Sequence, residues 1–412
     1  MKSFNHQFEA SLSAAHLQIL RNIGETAAER GEAVYLVGGV VRDIFLRRSS
    51  YDLDMVIEGR AISLARQIAK VNDCSLKTHP RFGTAKILFG NLNLDLVTAR
   101  SESYVQPGAL PTVKAGTIQD DLARRDFTIN AMAIRLAPDS FGELLDPHGG
   151  QQDIKQKSIR ILHPKSFEDD PTRILRAVRY EQRLDFQLEK TTEKLLQHNL
   201  EGLDTVTGER LWHELELILN EERPEKSLLR ADKLGVLRKL YPPLKGDNWL
   251  AEKSAQARNL NKEASSLPAI YLAIMIYRFD LEEAEDCINR FRMPRWAART
   301  VRDTMRLKNS LSSLEASDLR PSHIYRKLES HIPEVIKGIA LVSDSPIIQQ
   351  RIELYLQNLR YIKPEISGND LQNMGVSPGK KIGQILRTLQ EARIDNTVSS
   401  YEEEETLVQS LL

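Results

Sequence analysis

The sequence predicts an α+β protein: a small mixed α/β head followed by an all-α remainder within 412 residues. Three observations carry this expectation. An apolar run, Val34 to Val37, breaks at Gly38-Gly39, and a second strand-like run after a polar turn carries Asp52 and Asp54. Two further strand-like runs, Ala85 to Phe89 and Leu92 to Ala99, flank Gly90-Asn91, a hairpin signal. From Phe167 onward the pattern is helix after helix.

The chain is long enough for two to four domains and a substantial core. Lys plus Arg and Asp plus Glu balance at 57 each. That excludes a generally basic coat, so any RNA site must be a local basic surface. Cys74 and Cys287 are too few for a disulfide framework, and a reducing cytosol fits them. The first residues, MKSFNHQFEASLSAAHLQIL, lack the basic-then-apolar order of a signal peptide. The longest apolar run, Leu267 to Tyr277, contains a proline and is too short to cross a bilayer. The expectation is a soluble, cytoplasmic protein with no membrane association and no disulfide-linked partner.

Taken in order, Leu12 to Arg30 reads as an amphipathic helix ending near Gly31. After the first strand, Gly38-Gly39 opens a short helix carrying Arg42 and Asp43. On the second strand, Asp52 and Asp54 share a face and Leu53 points into the core. Two adjacent carboxylates repel, and burying them unpaired is costly. A divalent cation removes that cost. Hard oxygen ligands suit Mg²⁺, which is commonly held by one or two carboxylates plus substrate phosphates. The glycines let backbone approach a phosphate, and a helix start offers N–H groups to an anion. Glycines at one end and a D-x-D at the other predict metal-assisted phosphoryl or nucleotidyl transfer. Ala61 to Val71 is a helix. In NLDLVTAR, Asp95 alternates with apolar neighbours. By spacing it is either a third carboxylate beside the D-x-D or a solvent-facing strand residue.

The stretch from Ser101 to Gln119 is rich in Gly and Pro and predicts a long loop. Asp120 or Asp121 then caps a helix carrying Arg124, Arg125 and Asp126, followed by an apolar helix over TINAMAI. LLDPHGGQQD predicts a turn that closes the head. In FEDDPTRILRAVRYEQRLDF, Asp170, Arg173, Arg176 and Arg179 recur every three residues. They form a slanting stripe, with Ile174, Leu175 and Val178 facing elsewhere. In TGERLWHELELIL, Arg210 and Glu214 are spaced i, i+4 and are expected to brace the helical segment that follows the head. The nine histidines form no H…H-D cluster, which excludes a metal phosphohydrolase domain. Lys380-Lys381 at a helix start suits a phosphate backbone contact, and Glu402 to Glu405 reads as a solvated end.

These motifs resemble a known family. LVGGVVRD followed by DLD, RRDFTINAMA letter for letter, DPHGGQQD, and Asp169-Asp170 with Arg173, Arg176 and Arg179 are similar to signatures of the class II tRNA nucleotidyltransferases (CCA-adding enzymes) and bacterial poly(A) polymerases. Asp169 stands where the family has Glu, and Leu217 where it often has Lys. The resemblance is firm over the first 220 residues and looser beyond. It implies an N-terminal helix (1–30), a nucleotidyltransferase head (31–150), a helical neck (151–225) and an elongated helical body and tail that binds tRNA (226–412). It implies catalysis by Asp52, Asp54 and Asp95, with Mg²⁺ on Asp52 and Asp54, and CTP, ATP and tRNA as partners. Gly39, Arg42 and Arg125 would bind the nucleotide from the head. Asp170 and Arg173 would read its base, and Arg176 and Arg179 its triphosphate.

The implied activity is untemplated addition of C and A to the 3′ end of tRNA. Poly(A) polymerases carry a basic G-R-[RK]-F-R run where this chain has HPRFGTAKILFG. A non-catalytic RNA-binding relative would be expected to lose acids of the D-x-D. Full CCA-adding relatives place a basic residue in the loop where this chain has YVQPGALP, Tyr104 to Pro111, with no Lys or Arg before Lys114. Addition of C-C alone, with a separate A-adding enzyme, therefore stands beside the full reaction.

Overall fold

A computed structural model describes residues 8–48, 52–90, 92–103, 108, 111–260 and 264–412. The chain divides into two compact units, Met1–Glu214 with Lys233–Leu240, and Leu215–Asp232 with Tyr241–Leu412.

The first unit is built on a seven-stranded sheet of order β3-β4-β5-β2-β1-β8-β9. The strands are β1 (Ala33–Val37), β2 (Asp52–Glu58), β3 (Ser75–His79), β4 (Thr84–Phe89), β5 (Leu92–Thr98), β8 (Ala133–Arg135) and β9 (Leu144–Leu145). Within this sheet β2 and β5 run parallel, and the other neighbouring pairs are antiparallel. The predicted hairpin is β4–β5, closing at Phe89 opposite Leu92. Helices α1 (Ala14–Glu29) and α3 (Ala61–Asn72) pack on strands of the sheet. Ser13 caps α1 by accepting the His16 N–H. A separate apolar cluster joins Tyr35, Val37, Val56 and Ala133 to Ile118 and Leu122 of α4 (Ile118–Ala123). Four of the five β1 residues are buried, because both its faces are covered.

Three expectations need correction here. The long loop after Ala99 begins and ends as a hairpin, β6 (Arg100–Ser103) against β7 (Thr112–Ala115); residues 104–107 and 109–110 lie outside the described residues. The cap of α4 is Thr117, which forms a capping box with Asp120, and the helix ends before Arg124. TINAMAI is not a helix: Thr128–Asn130 is a 3₁₀ turn that feeds β8. The Thr128 hydroxyl donates to Asp153 at 2.5 Å, and β8 pairs with β1, so tertiary bonds override helical propensity.

Asp146 accepts from the Gly150 and Gln151 N–H groups at 2.6 and 2.9 Å and starts α5 (Gly150–Lys155). Beyond it come the short α6 (Ser166–Asp169), then α7 (Arg173–Leu184), α8 (Lys190–His198) and α9 (Gly208–Leu219).

The second unit is helical. At its centre lies Leu267–Ile276, in which Ile270 to Ile276 are all buried. A helix that is apolar all round belongs inside a core or a bilayer. Here it packs against Asn248–Leu260, Arg295–Ser310 and Pro333–Val342. Among the described residues no helix is long and apolar enough to cross a membrane. Cys287 is buried in this unit, and burial pushes its thiol up to about 12. Neither cysteine is in a disulfide. The C-terminal helices close over Ile366, Leu371, Ile385, Leu389 and Val408. The acidic run near the end is not wholly solvated. Glu404 is fully buried, accepts from the Glu365 and Ile366 N–H groups, and pairs with Arg393.

Candidate active site

A cavity of about 610 Å³ opens in the first unit. Its first wall is the sheet. The parallel register sets Asp54 opposite Asp95 and Asp52 opposite Asn93, so all three predicted carboxylates stand together. Leu53, between the two aspartates, is fully buried. Asn93 donates to Asp52 at 2.6 Å, and Lys86 to Asp95 at 3.1 Å. Asp54 is exposed and lines the cavity. Burial, with Asp95 and Asp52 nearby, pushes its carboxyl above the ordinary carboxylate range, and Arg125 only partly opposes this. The charge of Asp54 is thus disfavoured where it stands, an imbalance that Arg125 and Lys86 offset only in part.

That imbalance is what a divalent cation would relieve. Among the described residues no group of three or more His, Cys, Asp or Glu could hold a metal unaided. The donor set fits a cation whose shell is completed by ligand phosphates and water, as is usual for Mg²⁺.

The second wall begins at the strand–helix turn. Gly38 has φ +72°, and a Cβ there would stand 2.6 Å from Nη1 of Arg125. Only glycine fits both the conformation and the neighbour. Gly39 follows as the first residue of α2 (Gly39–Phe45) and lines the cavity. Arg125 is held by Asp121, its Nε and Nη2 donating at 3.2 and 2.9 Å. The fully buried Asp121 also takes Arg124, which in turn reaches Glu102 at 3.0 Å. Arg42 is only 3% exposed and donates to Asn130 at 2.6 Å and to Asp43.

The third wall is α7 with the residues just before it and the start of α9. Arg176 clasps Asp126, with Nε and Nη2 at 2.9 and 2.5 Å from Oδ2. Asn130 and the Phe127 N–H also donate to Asp126. Burial alone would raise this carboxyl, but these partners outweigh it and bring it down to about 2. Burial likewise opposes the Arg176 charge, and Asp126 chiefly, with Tyr180 and Glu214, holds the guanidinium above its ordinary value. Arg179 is buried and faces Glu214 at 3.7 Å. The Tyr180 ring lies beneath the guanidinium groups of Arg42, Arg176 and Arg179, at 5.4, 5.6 and 5.1 Å. Arg173 is 5% exposed and ties neck to head, donating to the Arg124 carbonyl and the Ser166 hydroxyl at 2.7 Å each. Asp170 lies just before α7 in extended conformation and lines the cavity.

Of the ten predicted site residues, Gly39, Asp54, Arg125, Asp170, Arg173 and Arg176 line the cavity; Asp52, Asp95, Arg42 and Arg179 do not, and each sits next to a residue that does. Arg210 and Glu214 both reach across from their helix to the segment that starts α7, Arg210 to Asp170 at 2.8 Å and Glu214 to Arg176 at 3.5 Å. Sequence reasoning passed over Asp126, Asn130, Tyr180 and Glu102. The first two stand inside RRDFTINAMA, where the motif match was the available signal. Tyr180 follows Arg179 directly, but nothing in its spacing tells a site residue from a core aromatic.

Residues 34–160 match the poly A polymerase head domain, and residues 185–247 a probable RNA and SrmB-binding site of polymerase A. The chain is 35% identical to the A-adding tRNA nucleotidyltransferase of Halalkalibacterium halodurans, over 89% of this chain and 86% of that protein. It is 31% identical to the CC-adding tRNA nucleotidyltransferase of Deinococcus radiodurans, over 92% and 89%. Against the A-adding tRNA nucleotidyltransferase of Geobacter sulfurreducens it is 34% identical over 97% of its own length, but spans only about half, 47%, of that relative. A solved CCA-adding enzyme, apo form II, matches with a TM-score of 0.80 at 33% identity, covering 99% of this chain and 98% of that one. With the D-x-D strand, the glycine turn and the neck arginines gathered around one cavity, and with relatives alike along nearly the whole chain, this protein belongs to the tRNA nucleotidyltransferase family built on a poly A polymerase head.

Proposed function

We propose that this chain is an enzyme that adds C and A from CTP and ATP to the 3′ end of tRNA without a nucleic-acid template. The observation that carries the reading is the cavity itself, with Asp54 on one wall, its charge disfavoured by its surroundings, and Asp170 and Arg173 on another. In this reaction the terminal 3′-oxygen of the RNA attacks the α-phosphorus of a nucleoside triphosphate. One O–P bond forms, and the bond to pyrophosphate breaks. A bound divalent cation supplies neutralisation of the charge on the phosphates and makes the 3′-oxygen a better nucleophile. Asp52 and Asp54 are the residues to hold it, with Asp95 beside them, and Mg²⁺ is the expected ion.

The remaining roles follow from position. Gly38 and Gly39 let the triphosphate approach the backbone, and Arg125 contributes a cation at that turn. Arg176 has 30% of its side chain accessible and can add a phosphate contact. Arg42 and Arg179, both buried, serve by fixing Asn130 and Glu214. Asp170 accepts and Arg173 donates, which suits them to a Watson–Crick edge.

A second reading, addition of the terminal A alone, rests on the relatives named A-adding, which are 34%, 36% and 35% identical over 86% or more of this chain, ahead of a CC-adding one at 31%. The neutral stretch from Tyr104 to Pro111 weighs against the full reaction without choosing between its two halves.

The test supplies purified protein, Mg²⁺ and each labelled nucleotide to tRNA lacking C-C-A and to tRNA ending in C-C. Completion of both ends supports CCA addition. A added only to the C-C end supports the second reading, and C-C without A the CC-adding one. Long A tails would indicate a poly(A) polymerase. No incorporation on either tRNA would sink the enzymatic reading.

A further inference from the structure

Arg210 spans two segments far from it in sequence. Its Nη2 donates to Oδ1 of Asp170 at 2.8 Å, and its Nη1 to the carbonyl of Gly108 at 2.9 Å. Oδ1 also accepts from the Thr172 N–H and hydroxyl at 3.1 and 2.7 Å. Three donors thus converge on one oxygen, and among the described residues no hydrogen bond falls on Oδ2. An acceptor with one oxygen pinned and the other open selects a ligand that donates. Cytosine and adenine carry an amino group where uracil and guanine carry a carbonyl oxygen.

The Thr172 bonds are local to the turn and neutral on the donor side. The Arg210 bond carries charge on both donor and acceptor, and it is the one that reaches Asp170 from a separate helix. Without it the carboxylate can turn about its own axis and exchange its two oxygens. The second arm keeps Arg210 itself in place. Gly108 is buried at φ +72°, and a Cβ there would lie 2.1 Å from the Thr205 hydroxyl oxygen, so the position that offers this carbonyl requires glycine.

We propose that Arg210 is a positioning residue for nucleotide choice: it fixes Asp170 so that Oδ2 faces the incoming base, and its grip on Gly108 keeps that geometry rigid. The role rests on the tRNA nucleotidyltransferase reading above.

The experiment measures kcat/KM for CTP against UTP and for ATP against GTP on truncated tRNA. It compares wild type, Arg210→Gln, Arg210→Lys and Gly108→Ala, each checked by thermal melting. Loss of one charge-assisted bond should lower discrimination roughly ten-fold or more, with a smaller fall in kcat for the preferred nucleotide. Arg210→Lys should not rescue, because one ammonium cannot span both acceptors as a planar fork does. Gly108→Ala should shift the same ratio although Arg210 is intact. A merely structural role would lower melting temperatures and leave the ratios alone. Wild-type ratios in the folded variants would overturn the role while leaving the enzymatic reading standing. A wild type that transfers no nucleotide would overturn both.

Discussion

Asp54 on the sheet wall and Asp126 on the neck side line one cavity, yet burial and neighbouring acids push the first carboxyl up while its partners hold the second down at about 2. Around Asp126 the protein supplies every balancing group itself: the Arg176 fork, the Asn130 amide and a backbone N–H. Around Asp54 it supplies two more acids and only partial compensation from Arg125 and Lys86. The difference separates scaffold from site. A charge balanced from within is part of what holds head and neck together. A charge left unbalanced is kept for a partner from outside, at some expense in stability.

The contrast breaks most visibly in activity. Asp54→Asn should reduce transfer by roughly a hundred- to ten-thousand-fold, the range that several kcal/mol of lost charge stabilisation spans. The same substitution removes a strained charge, so the melting temperature should hold or rise. A variant both active and less stable would contradict the assignment.

Asp126→Ala should do the converse to stability. It leaves the partly buried Arg176 with only its longer contact to Glu214 at 3.5 Å, a change that costs about 3 kcal/mol. Chemical denaturation of the variant against wild type measures it. An unchanged midpoint would show that the clasp contributes nothing.

Acid should distinguish the two carboxylates by sign. The folded-state value of Asp126, about 2, lies below the ordinary unfolded value of about 3.9. Its stabilisation is therefore complete above about pH 4 and is lost as pH falls towards 2. In Asp126→Asn that part of the acid sensitivity should vanish. Asp54 is raised instead, so ionising it opposes folding, and its protonated form persists to higher pH than an ordinary carboxyl. Metal-dependent activity should fall as acid titrates it, and cation binding near that range should release protons, which calorimetry in buffers of different ionisation enthalpy would detect.

The smallest effect belongs to an exposed pair. Arg302 and Glu285 meet at 2.6 Å with side chains 55% and 48% accessible. Glu285→Ala should change stability by no more than about 0.5 kcal/mol. A larger loss would mean that accessibility does not set the worth of ion pairs here.

Much of the sheet wall was legible in the sequence because its logic is local. Asp52, Leu53 and Asp54 alternate across a strand, and Gly90-Asn91 announces the hairpin that brings Asp95 back beside them. The neck wall was less so. Arg210 meets Asp170 across 40 residues, and Asp126 meets Arg176 across 50; no periodicity encodes such pairings. Helical spacing makes a stripe of Arg173, Arg176 and Arg179, but cannot say that Arg173 and Arg179 are buried while Arg176 keeps an open edge. Glu404 sits in an acidic run that reads as solvated. Its burial follows from two N–H groups 38 and 39 residues earlier in the chain that need an acceptor.

The parallel pairing of β2 with β5 has a further consequence, which is one of parity. Asp54 faces Asp95 because the two strands are aligned at those positions, and Leu53 faces Leu94 beside them. Sliding either strand by one residue would turn its acids towards the core and its leucines towards the cavity, since strand side chains alternate without intermediate positions. The site therefore has an even-or-odd character: a slip of two keeps acids facing outward, while a slip of one erases the site and the core together. Single-residue insertions within Asp52–Glu58 or Leu92–Thr98 should be far less tolerated than substitutions at the same places. Alterations of length across this pair of strands are thus screened by folding before they can be screened by catalysis.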